Sequence, residues 1–381
     1  MYLIMSGITA LFAVMGYLNR KADKKLFCIE LLLMGAMLCL RYGQGTDYFG
    51  YEVNYSLVPQ NLDIHFLLHN GVHGEIGYTF VVEIFRMLKA PFPVFVAVWS
   101  LVMMLMTYYG IKKYGGVKTI AVLLLYPTYY LTFYYAVRQG FALAYTLCFV
   151  LPAYLKDEKI KCMLLVCIGA TIHKSLIILL VPVLVERIVK KHEKEMIILA
   201  VPAGMAFGLF LKETGFQMSY VHFDPSLGAI ILRIILFIAI ARLYRFSGKQ
   251  DEINDRLYSF YLVGFCIYLV LCPVAFISHR VTAYMKVSEV ILFSRLLRKQ
   301  NDIMYIRRAF TVLKGQVCLL IIAICMVEGA KNINSYIGQG EYYSGIYFYN
   351  YPYVSIFNKK DIYKYRENGF IDKFPQVFDY E

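Results

Sequence analysis

FPVFVAVWSLVMMLMTYYGI, residues 92–111, carries no charge, and Lys112 and Lys113 follow it at once. At 1.5 Å per residue such a helix is about 30 Å long, the thickness of a bilayer's hydrocarbon core. Further apolar runs lie on both sides, at 2–18, 26–40, 118–136, 139–155, 161–173, 175–188, 195–211, 228–246, 257–278, 281–297 and 309–328. The chain of 381 residues is 59% hydrophobic and 17% charged. A soluble domain has about 45–50% apolar and about 25% charged residues, and one core cannot hide that excess. Backbone groups cannot go unpaired in lipid, so the runs are read as helices. The expected fold is an all-α polytopic membrane protein with about 12–13 transmembrane helices. Residues 1–328 form the membrane domain, and 329–381 a Tyr-rich outer tail.

The basic residues set the expected orientation. Lys and Arg cluster at Arg20–Lys25, Lys112–Lys118, Lys156–Lys161, Arg187–Lys194, Arg242–Arg256 and Arg295–Arg308. All six fall on one side if the first span starts outside, and that side is the cytoplasm by the charge rule. Residues 76–90 (IGYTFVVEIFRMLKA) must then not cross, because a crossing would invert every later cluster. They carry Glu83 and Arg86 and are read as re-entrant or interfacial, so 41–91 forms an outer loop and re-entrant segment. The N-terminal run lacks a basic leader region and reads as a retained span.

The net charge of +13 belongs mostly to these short loops, so no nucleic-acid partner is expected. The nine Cys lie in or beside apolar runs without CxxC spacing, which favours small buried side chains over zinc or disulfides. His65, His69 and His73 share a helical period, but no further ligand completes a metal site. No metal or cofactor is expected.

Polar residues gather at the outer ends of the runs. Arg41 opens the stretch RYGQGTDY, in which Gly43 and Gly45 allow a tight turn and Asp47 caps a turn or acts as a base. Glu75 precedes an apolar run, as a helix cap or as a partly desolvated carboxylate with a raised pKa serving as general base. Arg138 opens a span, and a guanidinium fork matches diphosphate oxygens. His173 breaks a long apolar stretch in IHKS, either as a satisfied structural histidine or as a proton donor. Arg280 follows His279, with Tyr284 one turn on.

These clusters resemble the EpsG family of bacterial polysaccharide polymerases, which are Wzy-like. The matching features run in order: R-x-G-x-G-T-D-Y-x-x-Y at Arg41–Tyr51, E-x-G-Y at Glu75–Tyr78, V-R-Q-x-x-A at Val137–Ala142, I-H-K-S at Ile172–Ser175, His279-Arg280 with Tyr284, and Y-P-Y-x-S-I-F at Tyr351–Phe357. The resemblance implies a fold similar to the GT-C-like membrane glycosyltransferases, in the bacterial cytoplasmic membrane. It implies transfer of a growing glycan from undecaprenyl diphosphate to the non-reducing end of another lipid-linked repeat unit, at the outer face. The lipid-linked oligosaccharide and the bilayer are then partners, with chain-length regulator and flippase proteins beside them. On this reading Arg138, Arg280 and Arg41 hold the diphosphate without a metal. Glu75 or Asp47 takes the acceptor proton and His173 assists. Tyr48, Tyr51, Tyr78, Tyr284 and Tyr353 hold sugar rings. A transporter of lipid-linked glycan and a membrane acyltransferase are the alternatives.

Overall fold

The computed structural model describes residues 1–45, 47–70, 75–214, 223–247, 251–297, 307–336 and 342–378. The described residues are helical, with two isolated bridges and no strands. The first two helices form an antiparallel pair. α1 spans Tyr2–Leu18 and α2 spans Arg20–Cys39, and the Asn19 side chain between them accepts from the Lys21 and Ala22 amides. That cap satisfies two of the amides a helix start leaves unpaired.

Two short outer helices follow, α3 (Tyr48–Leu57) and α4 (Ile76–Met87). α5 (Phe92–Tyr114) is the uncharged run quoted above, extended through the two lysines. Next come α6 (Lys118–Leu125), α7 (Leu131–Tyr135), α8 (Val137–Tyr145) and α9 (Leu151–Leu155). The expected spans 118–136 and 139–155 are each split by a wide π turn, at Tyr126–Tyr130 and Thr146–Val150. Pro127 explains the first, since it donates no backbone bond and crowds the preceding turn. The Asn332 side chain donates to the Pro127 carbonyl at 3.1 Å and holds the distorted turn in place.

α10 (Lys159–Ile172) ends at an extended His173, and a 3₁₀ turn leads into α11 (Leu180–Lys191). α12 (Glu193–Thr214), α13 (Leu227–Ser247), α14 (Glu252–Leu271), α15 (Ala275–Lys286), α16 (Ser288–Leu296) and α17 (Arg307–Tyr336) complete the bundle. The run expected as one span at 281–297 is two helices, broken at Val287. Among the described residues three helices, α5, α12 and most of α13, are long and apolar enough to cross a membrane.

α6 is buried on every side from Thr119 to Leu125, which marks the centre of the bundle. α12 instead exposes Leu199, Met205 and Phe210. Such an outward apolar face on a helix of this length is what lipid covers.

Contacts between helix ends sort the bundle into two sides. Asp23 accepts from the Lys118 and Thr119 amides, and the Val117 amide donates to the Ser294 carbonyl. Arg295 bonds Asn254 and Asp251, while Arg256 pairs with Asp157 and Glu186. Arg245 pairs with Glu193. The described basic clusters therefore share one side; Lys249, Arg298 and Lys299, and the side chains of Lys190, Arg307 and Arg308, lie outside the described residues.

The other side gathers the loops. The Tyr2 hydroxyl donates to Gln44, and the Tyr42 amide to the Val354 carbonyl, beside a bridge of Arg41 to Ser355. Arg366 donates to the Gly43 carbonyl at 2.5 Å. Gly43 and Gly45 have φ of +61° and +99°, and a Cβ on Gly45 would meet the Tyr134 and Tyr135 backbone. Glycine is the residue that tolerates both demands. The tail thus folds back over α3, with Phe370 and Phe374 against Phe49. Both ends of α4 lie on this side too: Arg86 bonds the carbonyls of Ser56 and Val58, and the Tyr55 hydroxyl bonds that of Ala90.

Candidate functional site

Glu75 is the centre of a compact polar cluster. It stands at the start of α4, buried, and three groups converge on its carboxylate. His173 Nδ1 lies 3.0 Å from Oε1, and the Lys174 amide donates to the same oxygen at 3.1 Å. Arg138 Nη1 pairs with Oε2. Each partner is placed by a helix break. The turn at His173 aims its ring and the next amide at Glu75, and the step at Ala136 between α7 and α8 turns Arg138 inward. The Arg138 guanidinium also donates from Nε to the Tyr51 hydroxyl at 3.1 Å and lies over the Tyr51 and Tyr78 rings. Aromatic faces favour a cation there.

Burial pushes the Glu75 carboxyl up, but the His173 hydrogen bond, the Arg138 charge and the Lys174 amide outweigh it. Its pKa is held below the usual carboxylate range, and the raised value expected from its sequence position is corrected. A depressed folded-state pKa stabilises the fold above the unfolded value and loses that contribution as pH falls through the folded one. Thermal stability of Glu75→Gln should therefore trail wild type at neutral pH. The two curves should converge only below about pH 4.5, the ordinary carboxyl value; convergence near pH 6 would contradict the pairing.

Beside this cluster opens a cavity of about 440 Å³, reaching from the loop side into the bundle. The two are neighbours across the first turn of α8, where Arg138 faces Glu75 and the adjacent Gln139 lines the cavity and donates to the Arg280 carbonyl at 3.4 Å. A second link is Tyr284 on α15, whose hydroxyl is 2.7 Å from Ser175 Oγ. Arg280 lines the cavity with its guanidinium 4.0 Å from the Phe276 ring centre.

The sequence-expected residues divide accordingly. Glu75, Arg138, His173, Tyr51 and Tyr78 come together, with Tyr284 and Arg280 adjoining. Arg41 does not join them. It is 1% exposed and bonds the Leu38 carbonyl, Ser100 Oγ at 2.7 Å and the Phe133 carbonyl, over the Tyr134 ring. It fastens α2 to α5 and α7 and is out of reach of a ligand. Asp47 is exposed at the start of α3. Tyr48, Tyr78 and Tyr284 are buried, so their rings pack the interior and offer no open platform for a sugar. The Tyr353 hydroxyl bonds the Met37 carbonyl and joins the tail to α2.

Sequence reading missed a second charged group, deep in the bundle. Arg233 on α13 pairs with Glu289 at 2.7 Å and Glu328 at 3.2 Å, all on helices the sequence marks as apolar. The Tyr129 hydroxyl donates to Glu289 at 2.7 Å, and Thr128 to Glu328 at 3.0 Å. The available signal was the charge itself, since an ionisable residue inside a span is costly and is kept for a reason. Among the described residues no group of three His, Cys, Asp or Glu is placed to hold a metal; His73 and the His69 side chain lie outside them.

The model of the EpsG family matches residues 24–355. The chain belongs to the EpsG family. EpsG membership makes it a polysaccharide-related membrane protein, in agreement with the apolar helices. The matched range contains the Glu75 cluster and the cavity, and all of the EpsG motifs noted in the sequence up to Ser355. No curated protein and no solved structure matches the chain.

Proposed function

We propose that this EpsG protein is a polysaccharide repeat-unit polymerase that transfers a growing glycan from undecaprenyl diphosphate to an acceptor sugar hydroxyl. The observation that carries the reading is the Glu75–His173 pair beside Arg138, next to a cavity lined by Arg280, which has no ion pair among the described residues. In transfer, the anomeric C–O bond to the diphosphate breaks and its electron pair leaves on the diphosphate oxygen. A bond forms from the acceptor oxygen to the anomeric carbon, and the acceptor proton must be taken.

Both Glu75 oxygens are engaged, so we assign the proton to His173. Glu75 accepts from Nδ1–H and leaves Nε2 as the base, an orientation logic shared by catalytic carboxylate–histidine pairs. Arg138 keeps Glu75 ionised and its ring partners fixed. Arg280, which makes no ion pair among the described residues, faces the charge that develops on the leaving group. On this reading no metal takes part. The basic side of the bundle is cytoplasmic, the site opens outward, and α4 lies along the interface, both of its ends being on the loop side.

The test is purified protein in lipid nanodiscs with a diphosphate-linked repeat unit, with and without chelator. A ladder of longer lipid-linked glycans, unchanged by chelator, is the expected result. Substrate returned unelongated would refute the polymerase, and a ladder lost to chelator would refute the metal-free mechanism.

A further inference from the structure

The cavity wall carries more positive charge than the Glu75 cluster needs. α15 presents Phe276, Arg280, Ala283 and Lys286 to the cavity, a spacing of three or four residues that puts them on one face. Lys286 is the last residue of that helix, about 16 Å along it from Ala275 at 1.5 Å per residue. It is 2% exposed, and its ammonium contacts the Tyr268 ring at 4.8 Å. Among the described residues it has no carboxylate within ion-pair distance. Glu289, three positions on, is spent on Arg233 and Tyr129, and Glu328 on Arg233 and Thr128. Lys331 on α17 also lines the cavity and is likewise without an ion pair among the described residues.

A buried ammonium inside a membrane bundle needs an anion or water to be tolerable. Arg233, Arg280, Lys286 and Lys331 line this space with Asp224 and Glu328, and Glu289 is bonded to Arg233, so four cations exceed three carboxylates; Arg280, Lys286 and Lys331 make no ion pair among the described residues. We propose that Lys286 and Lys331, with Arg280 above, form a binding site for a diphosphate group. Three cationic side chains suit two linked phosphates better than a single carboxylate. The placement is independent of the Glu75 cluster; that the anion is the leaving group of glycan transfer rests on the function proposed above.

Farnesyl diphosphate, inorganic pyrophosphate and farnesol are the probes, titrated into the full-length protein in nanodiscs. Farnesyl diphosphate should bind, and Lys286→Met and Lys331→Gln should each weaken it about 10- to 100-fold, the worth of a charge-assisted hydrogen bond. Pyrophosphate binding with the same lysine dependence supports a site that reads the free head group. Farnesyl diphosphate binding alone supports one that also needs the lipid chain. Farnesol binding as tightly as its diphosphate, no binding of either anion, or unchanged binding in both variants would overturn the site. Lys331 is exposed to the cavity, so its variant decides the matter even where Lys286→Met fails to fold. Lysine-dependent binding without any glycan ladder would leave this site standing and remove the polymerase reading. A ladder made equally well by both variants, with unaltered binding, would do the reverse.

Discussion

His173→Ala is expected to slow glycan elongation by about 100- to 10,000-fold, the usual loss when a positioned general base is removed. The protein should remain folded, because the ring is only one of three partners of Glu75; the Lys174 amide and Arg138 stay. Binding of farnesyl diphosphate in the neighbouring cavity should be unchanged, which separates loss of the base from loss of the substrate. Initial rates from ladder assays, with thermal stability measured in parallel, check both statements. Elongation within a factor of three of wild type would take the proton-accepting role away from His173.

The largest structural effect should come from Arg233→Met. Arg233 is 3% exposed and joins Glu289, fully buried, to Glu328. Removing it strands two carboxylates beside each other inside the bundle. Breaking a buried ion pair from one side costs about 3–5 kcal/mol, enough to abolish most folded yield in a protein of ordinary stability. The double variant Arg233→Met with Glu289→Gln should recover a substantial part, since a neutral amide can still accept from Tyr129. Size-exclusion profiles and melting curves of the two variants give the measurement. A single variant as stable as wild type would mean the triad is solvated and contributes little.

Much of this molecule could be read from its letters, and the reasons differ by element. The run at 92–111 became α5 because an uninterrupted apolar stretch has one stable form in lipid. The basic clusters share a side because each marks a helix end, and alternate ends must meet. The break at His173 and the Glu75 and Arg138 motifs were visible as polar interruptions, and they do converge. What composition could not convey was pairing. Glu75 looked like a carboxyl pushed up by burial, but the His173 hydrogen bond and the Arg138 charge, 98 and 63 positions away, reverse the sign. Arg41 looked like a ligand-binding cation, yet carbonyls from Leu38 and Phe133 and the Ser100 hydroxyl take its two Nη groups inside the core. Helix boundaries also moved where Pro127 loosened a turn, and where the run at 281–297 broke at Val287. The Arg233 triad escaped notice because its members are each alone in the sequence, on three different helices.

The tie between residues 40–43 and 354–356 has a consequence for how the protein is made. The end of the second helix cannot reach its finished state until residues 354–356 have left the ribosome. A nascent protein stopped near residue 340 would carry α1 to α17 yet leave the Arg41 turn and the Gly43 carbonyl without their closing partners. A frameshift after the last long helix would then still remove the partners that close this turn, and assembly is finished only when residues 354–366 are seated on it.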